Sequence, residues 1–183
     1  MIKHLNIGLD CDGVIDQFWE PYINKFGYPK TQFEITKNVQ RKLINDRNFW
    51  INLPVLHRPN FEPTLFCTKR TSSKRYLRTW LENNNFPIAP IYQVLYQYDN
   101  KARFVKGKID VFVDDSIDNF ISMNLAGVPC LLMDNPANIY LGPMLRIHSL
   151  DYAEIEDAYN LALEMDIFKD FKLYYEQGIN RSN

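Results

Sequence analysis

The chain lacks any cluster of sulfur or imidazole on which to build chemistry. Its three cysteines, Cys11, Cys67 and Cys130, are scattered, odd in number and never spaced C-x-x-C. That excludes a disulfide framework and a thiolate zinc site, and it is the usage of a reduced, cytoplasmic protein. Each cysteine lies in an apolar, strand-like run and reads as a small buried hydrophobe. The three histidines, His4, His57 and His148, show no ligand spacing and read as structural. Every apolar run is too short to span a bilayer. Asp10 and Asp12 interrupt the N-terminal stretch where the apolar core of a signal peptide would run, so no membrane partner is expected. Net charge is −1, which argues against a broad nucleic-acid-binding face, although Lys69, Arg70, Lys74, Arg75 and Arg78 form a local basic patch. Internal repeats, low-complexity tracts and long linkers are also missing.

What is present is a globular chain of 183 residues, 46% apolar and 23% charged, enough for one domain carrying a small insert. The apolar run from His4 to Leu9 predicts a buried first strand, and a helix is expected over Ile15–Phe26, stopped by Gly27. From Tyr28 to Arg58 the pattern predicts short helices, one over Glu34–Asn45, and a loop at Phe49–Pro54. Strands are expected at Thr64–Thr68, Ile91–Tyr96, Ile109–Val113 and Val128–Met133. Helices are expected from a cap at Thr71-Ser72-Ser73 to Asn83, at Lys101–Lys106, at Ile117–Ala126 and at Asp151–Phe171. This alternation implies an α/β fold, a Rossmann-like parallel sheet with helices on both faces. Ligands in such folds sit beyond the carboxyl ends of the strands, and there the sequence puts Asp10/Asp12, Thr68 and Asp114/Asp115. Asp10 and Asp12, two residues apart in an extended segment, should project together while Cys11 packs inward. Paired carboxylates repel, and a divalent cation removes the conflict.

Asp10-Cys11-Asp12-Gly13-Val14, Thr68 at the end of a strand, a lysine upstream and then Asp114-Asp115 resemble, in order, the four motifs of the haloacid dehalogenase-like phosphohydrolase superfamily. The resemblance covers roughly residues 4–140 apart from the insert. It implies that Asp10 is a nucleophile forming an aspartyl-phosphate and that Asp12 is the general acid and base. It implies Mg²⁺ held by Asp10, Asp115 and the backbone carbonyl of Asp12, with Asp114 orienting metal-bound water. Thr68 and the lysine would hold the phosphoryl oxygens. Lys101, Lys106 and Lys108 all precede Asp114; Lys101 opens the expected helix and is preferred on that ground. Lys69, which follows Thr68, and Arg70, two residues past it, are expected to bind phosphate as well.

The insert divides the chain into an α/β core (1–14 and 59–183) and a small helical cap (15–58). Its position between the first and second motifs resembles that of the 5′(3′)-deoxyribonucleotidase branch. The implied activity is a Mg²⁺-dependent 5′-nucleotidase acting on nucleoside monophosphates, with Phe18 and Trp50 placed to sandwich a base. In that branch a serine usually follows the motif threonine, whereas here Lys69 does. Thr68-Lys69-Arg70 is also similar to the 3′-phosphatase domain of polynucleotide kinases, so a polynucleotide substrate is the alternative within the superfamily, disfavoured by the cap and the charge. Outside it stands a non-catalytic protein that keeps the fold for binding.

Overall fold

The computed structural model describes residues 4–29, 32–95, 99–135, 138 and 145–172. Six parallel strands form one sheet in the order β3-β2-β1-β4-β5-β6. They are β1 (Ile7–Leu9), β2 (Leu65–Thr68), β3 (Ile91–Gln93), β4 (Val111–Asp114), β5 (Cys130–Met133) and β6 (Arg146–Ile147). The helices are α1 (Trp19–Phe26), α2 (Gln32–Asn38, continuing into a π-helical turn at Val39–Leu43), α3 (Arg47–Ile51), α4 (Lys74–Asn83), α5 (Ala102–Val105), α6 (Ile117–Leu125) and α7 (Tyr152–Glu164).

The four inner strands are buried throughout, as expected where both faces of a parallel sheet are covered. Their side chains divide by the two-residue period of a strand. Val111, Val113, Leu131, Met133 and Phe66 join one hydrophobic cluster with Leu77 and Trp80 of α4. Phe112, Cys130, Leu132, Leu65 and Cys67 join the other with Ala102 and Val105 of α5 and Phe120 and Met123 of α6. Helices therefore cover both faces, in agreement with the fold expected from the alternation. All three cysteines are buried and free. Ile15, Phe18, Tyr22, Leu43 and Trp50 of the insert belong to the first cluster together with the strands, so the insert shares the core of the sheet. Among the described residues no helix is long and apolar enough to cross a membrane.

Four elements differ from expectation. Residues 15–17 are not helical: after Gly13 turns with φ +78°, the backbone N–H groups of Val14, Ile15 and Asp16 all donate to the Cys11 carbonyl, and α1 starts only at Trp19. Part of the expected Phe49–Pro54 loop is helix α3, because Asp46 caps it by accepting from the Phe49 N–H at 3.0 Å. β6 is a two-residue strand without an apolar run to announce it. α7 ends at Glu164, seven residues early, where Asp166 takes a positive φ of 55°. The far end of the strand expected at Ile91–Tyr96 lies outside the described residues.

Buried polar groups tie the layers together. The indole N–H of Trp80 donates to the Leu53 carbonyl at 2.7 Å and that of Trp50 to the Leu43 carbonyl at 2.7 Å, so each large ring is buried without an orphaned donor. Buried Asn124 joins α6 to β5: its amide donates to the carbonyls of Phe120 (2.9 Å) and Cys130 (3.0 Å), and its oxygen accepts from the Cys130 N–H (2.9 Å). Breaking these bonds strands buried backbone groups, at about 1–3 kcal/mol each when unpaired. Asn124→Ala is expected to cost about 3 kcal/mol, read as a lower urea midpoint with an unchanged slope; a midpoint within error of wild type would show that water replaces the amide.

Candidate active site

The strand order reverses between β1 and β4, and the crevice beyond their carboxyl ends is where ligands bind in open α/β sheets. Register then decides which side chains meet. Leu9 pairs with Val113, so the next residues, Asp10 and Asp114, lie side by side and project from the same face. Lys101, which precedes α5 on that face, extends beneath them. Its Nζ is 2.8 Å from Asp10 Oδ1 and 2.7 Å from Asp114 Oδ2, and the lysine is fully buried. Lys106 and Lys108 are exposed instead, donating to the carbonyls of Ala126 and Phe104.

Asp114 is held from several sides. Besides Lys101, its Oδ1 accepts from the Ser116 N–H at 2.9 Å and from Asn119 Nδ2 at 3.1 Å. Asp115 continues past the strand end, where its Oδ2 accepts from Asn135 Nδ2 at 2.8 Å. Its carboxylate also packs on Gly13: a Cβ there would fall 2.0 Å from Asp115 Oδ2. Gly13 thus meets two demands at once, a left-handed turn and contact with a carboxylate.

Oxygens of Asp10, Asp114 and Asp115 lie within 4.8 Å of one another. Burial pushes the Asp10 carboxyl up to about 7; Lys101 offsets part of that, and Asp114 and Asp12 add to it. Burial raises Asp115 well above the ordinary carboxylate range too, followed by the charges of Asp10 and Asp114. For Lys101, burial alone would favour the neutral amine, but Asp10 and Asp114 reverse this and hold it charged. Carboxylates outnumber the one lysine set between them. An all-oxygen donor set with that excess suits a hard divalent cation such as Mg²⁺. Asp10 and Asp115 fit as ligands, while Asp114, already engaged by three donors, fits as the anchor for Lys101.

Asp12 diverges from Asp10. The turn at Gly13 ends the extended segment, and the Asp12 carboxylate turns to Arg70, which donates from Nε (3.3 Å) and Nη2 (2.6 Å) to its two oxygens. It is not one of the three clustered carboxylates. Both acids nonetheless line the same cavity, of about 390 Å³. Thr68 lines it from the end of β2, its hydroxyl accepting from the Arg70 N–H at 3.0 Å. Lys69 lines it as well, and burial, followed by the nearby charge of Lys101, lowers its pKa. Arg70 is buried with its guanidinium committed to carboxylates, a placement that the sequence alone did not reveal.

Phe18 and Trp50 line the cavity but are 6% and 1% exposed. Their rings stack on each other, 5.9 Å between centroids and 13° from parallel. A base held between two rings needs about 7 Å, twice a stacking contact. The pair therefore forms a wall, and the Arg70 guanidinium lies 4.7 Å from the Trp50 ring centre. Tyr22 is buried, its hydroxyl accepting from Asn38 Nδ2. Trp19 is half-buried and lines the cavity with Ile35, Val39 and Gln40.

Asp16 is a site residue not expected from the sequence. It is fully buried and its Oδ2 accepts from Arg70 Nη2. An acid within the apolar stretch Val14-Ile15-Asp16 was the available signal, hidden by the expectation of a helix there.

No protein-family model matches the chain, and no curated protein does.

If the three carboxylates repel as the geometry requires, Asp115→Asn should raise the melting temperature of the metal-free protein. It should also remove most of the gain produced by Mg²⁺, expected at about 5–10 °C in wild type at a hundredfold excess over Kd. Thermal scans with and without Mg²⁺ read both effects. An equal Mg²⁺ gain in both proteins would place the cation elsewhere.

Proposed function

We propose that the protein is a Mg²⁺-dependent phosphomonoesterase that works through an aspartyl-phosphate on Asp10, with nucleoside monophosphates as substrates. One observation carries the reading: at the switch point of the sheet, a carboxylate with one oxygen on a buried lysine (Asp10, Lys101) shares a cavity with a second carboxylate clamped on both oxygens by a buried arginine (Asp12, Arg70). A point charge on one oxygen of Asp10 and a planar fork on both oxygens of Asp12 give two like residues unlike surroundings, which supports unlike roles for them. The resemblance of the ordered motifs to haloacid dehalogenase-like phosphohydrolases implies the same reaction.

In the first step Asp10 attacks phosphorus, a carboxylate O–P bond forms, and the bond to the leaving oxygen breaks as Asp12 gives that oxygen its proton. In the second, Asp12 takes a proton from water, which attacks phosphorus and returns Asp10 to a carboxylate. Lys101 favours the charged form of the nucleophile against burial and holds it in place. Lys69 and Thr68 line the cavity and would hold phosphoryl oxygens. Bound Mg²⁺ would add positive charge next to the oxygens on which negative charge develops.

The nucleotide part of the reading rests on the apolar end of the cavity. Phe18 and Trp50 make its wall, and half-buried Trp19 offers a ring to a base, since base stacking tolerates any sequence.

Phosphate release from nucleoside 5′- and 3′-monophosphates, a 3′-phosphorylated oligonucleotide and an aryl phosphate, with and without Mg²⁺, tests the activity. Release that needs Mg²⁺ and disappears in a folded Asp10→Asn variant is expected; near-normal release by that variant would sink the mechanism. Trp19→Ala should raise KM for nucleoside monophosphates by about tenfold, the worth of roughly 1–3 kcal/mol of stacking, and leave KM for small phosphate esters within about twofold. Equal changes in both would remove the base from the model of binding.

A further inference from the structure

Among the described residues the buried acids are Asp10, Asp16 and Asp114, and Asp16 has no part in the chemistry above. Its backbone is locked into the turn that follows β1: the Asp16 N–H donates to the Cys11 carbonyl at 3.1 Å, and its own carbonyl accepts from the Gly13 N–H at 2.9 Å. Its side chain reaches Arg70, whose Nη2 it shares with Asp12. The arginine is held elsewhere as well. Its carbonyl accepts from Gln93 Nε2 at 2.6 Å, its N–H donates to Thr68, and its guanidinium lies against Trp50. A planar fork restrained at the backbone, on a ring and by a second carboxylate has no freedom to follow Asp12; Asp12 must conform to it.

A buried ion pair is a poor device for stability, because apolar residues of similar volume commonly do as well or better. Its use here is orientation. We propose that Asp16 is a positioning residue that acts through Arg70 to aim the Asp12 carboxyl at the leaving oxygen of the substrate. The inference rests on the phosphomonoesterase reading. In the first step the proton leaves the Asp12 carboxyl for the departing oxygen while the P–O bond breaks and the Asp10 O–P bond forms. Misaiming Asp12 therefore harms esters whose leaving group must be protonated, and spares an aryl phosphate whose phenolate departs without a proton.

The test is the rate of the first, phosphoryl-enzyme-forming phase, measured by rapid quench with an alkyl phosphate and with p-nitrophenyl phosphate in Mg²⁺. Asp16→Asn should slow the alkyl ester by about 100-fold, the lower range of general acid catalysis, and the aryl ester by less than about threefold, with KM for either ester nearly constant. Arg70→Lys, which keeps a cation but loses the fork, should show the same preferential loss on the alkyl ester. If wild type is active and the variants lose both esters in parallel, lose neither, or all fail to fold, the pair is structural. That overturns this inference and leaves the phosphatase reading standing. If wild type forms no phosphoryl-enzyme from either ester, both are overturned.

Discussion

Leu9 stands opposite Val113 in the ladder between β1 and β4, and the placement of charge in this molecule depends on that register. One step further along, Asp10 and Asp114 emerge together on the face covered by α5 and α6, where both are buried. A slip of one residue would send every side chain of β1 to the opposite face, removing Asp10 from Lys101 and placing a carboxylate among the apolar partners of Leu9. With the register as it is, two acids share one buried lysine, and neighbouring groups serve that arrangement. Asn119 and the Ser116 N–H complete Asp114, Asn135 holds Asp115, and Gly13 leaves room for the Asp115 carboxylate.

The insert is bound to the same centre from the other side. Phe18, Tyr22 and Trp50 pack in one cluster with β1, β2 and β4, and Asp16 and Trp50 both touch Arg70. Arg70 belongs to the segment after β2, so the contact joins parts of the chain 54 residues apart. Displacing the insert would expose the aromatic cluster and uncouple Arg70, at a cost set by burial of about 1.5–3 kcal/mol per large apolar side chain. Half-buried Trp19 and exposed Gln40 also line the cavity from the insert.

The sheet and its acids were legible in the sequence for a simple reason: an inner parallel strand is a short apolar run, and a polar residue that ends it lies on the ligand-binding edge. That logic located Asp10, Thr68 and Asp114-Asp115 and ordered the strands along the chain. It failed where the determining partner is remote or the signal is too small. Asp46 capping α3 was lost in a stretch rich in Asn, Asp and Arg, and the two residues of β6 carry no pattern. The aromatic spacing of Phe18 and Trp50 revealed apolar character but not that each ring's partner is the other. Asp16 and Arg70 were both visible, but no local rule pairs a residue in the turn after β1 with one in the loop after β2.

Two cations, each shared by two carboxylates, organise the cavity, and the difference between them separates the two acids of the first motif. Lysine is a point charge: Lys101 engages Asp10 through Oδ1 and leaves its orientation to the neighbouring carboxylates and to any cation they gather. Arginine is a planar fork: Arg70 engages both oxygens of Asp12 and dictates the plane of the carboxyl. A nucleophile needs charge and a reachable oxygen, whereas a proton shuttle needs a defined direction for the proton. The lysine side of the cavity meets the first need and the arginine side the second. That asymmetry, rather than the spacing of Asp10 and Asp12 in the chain, supports giving the two acids different roles.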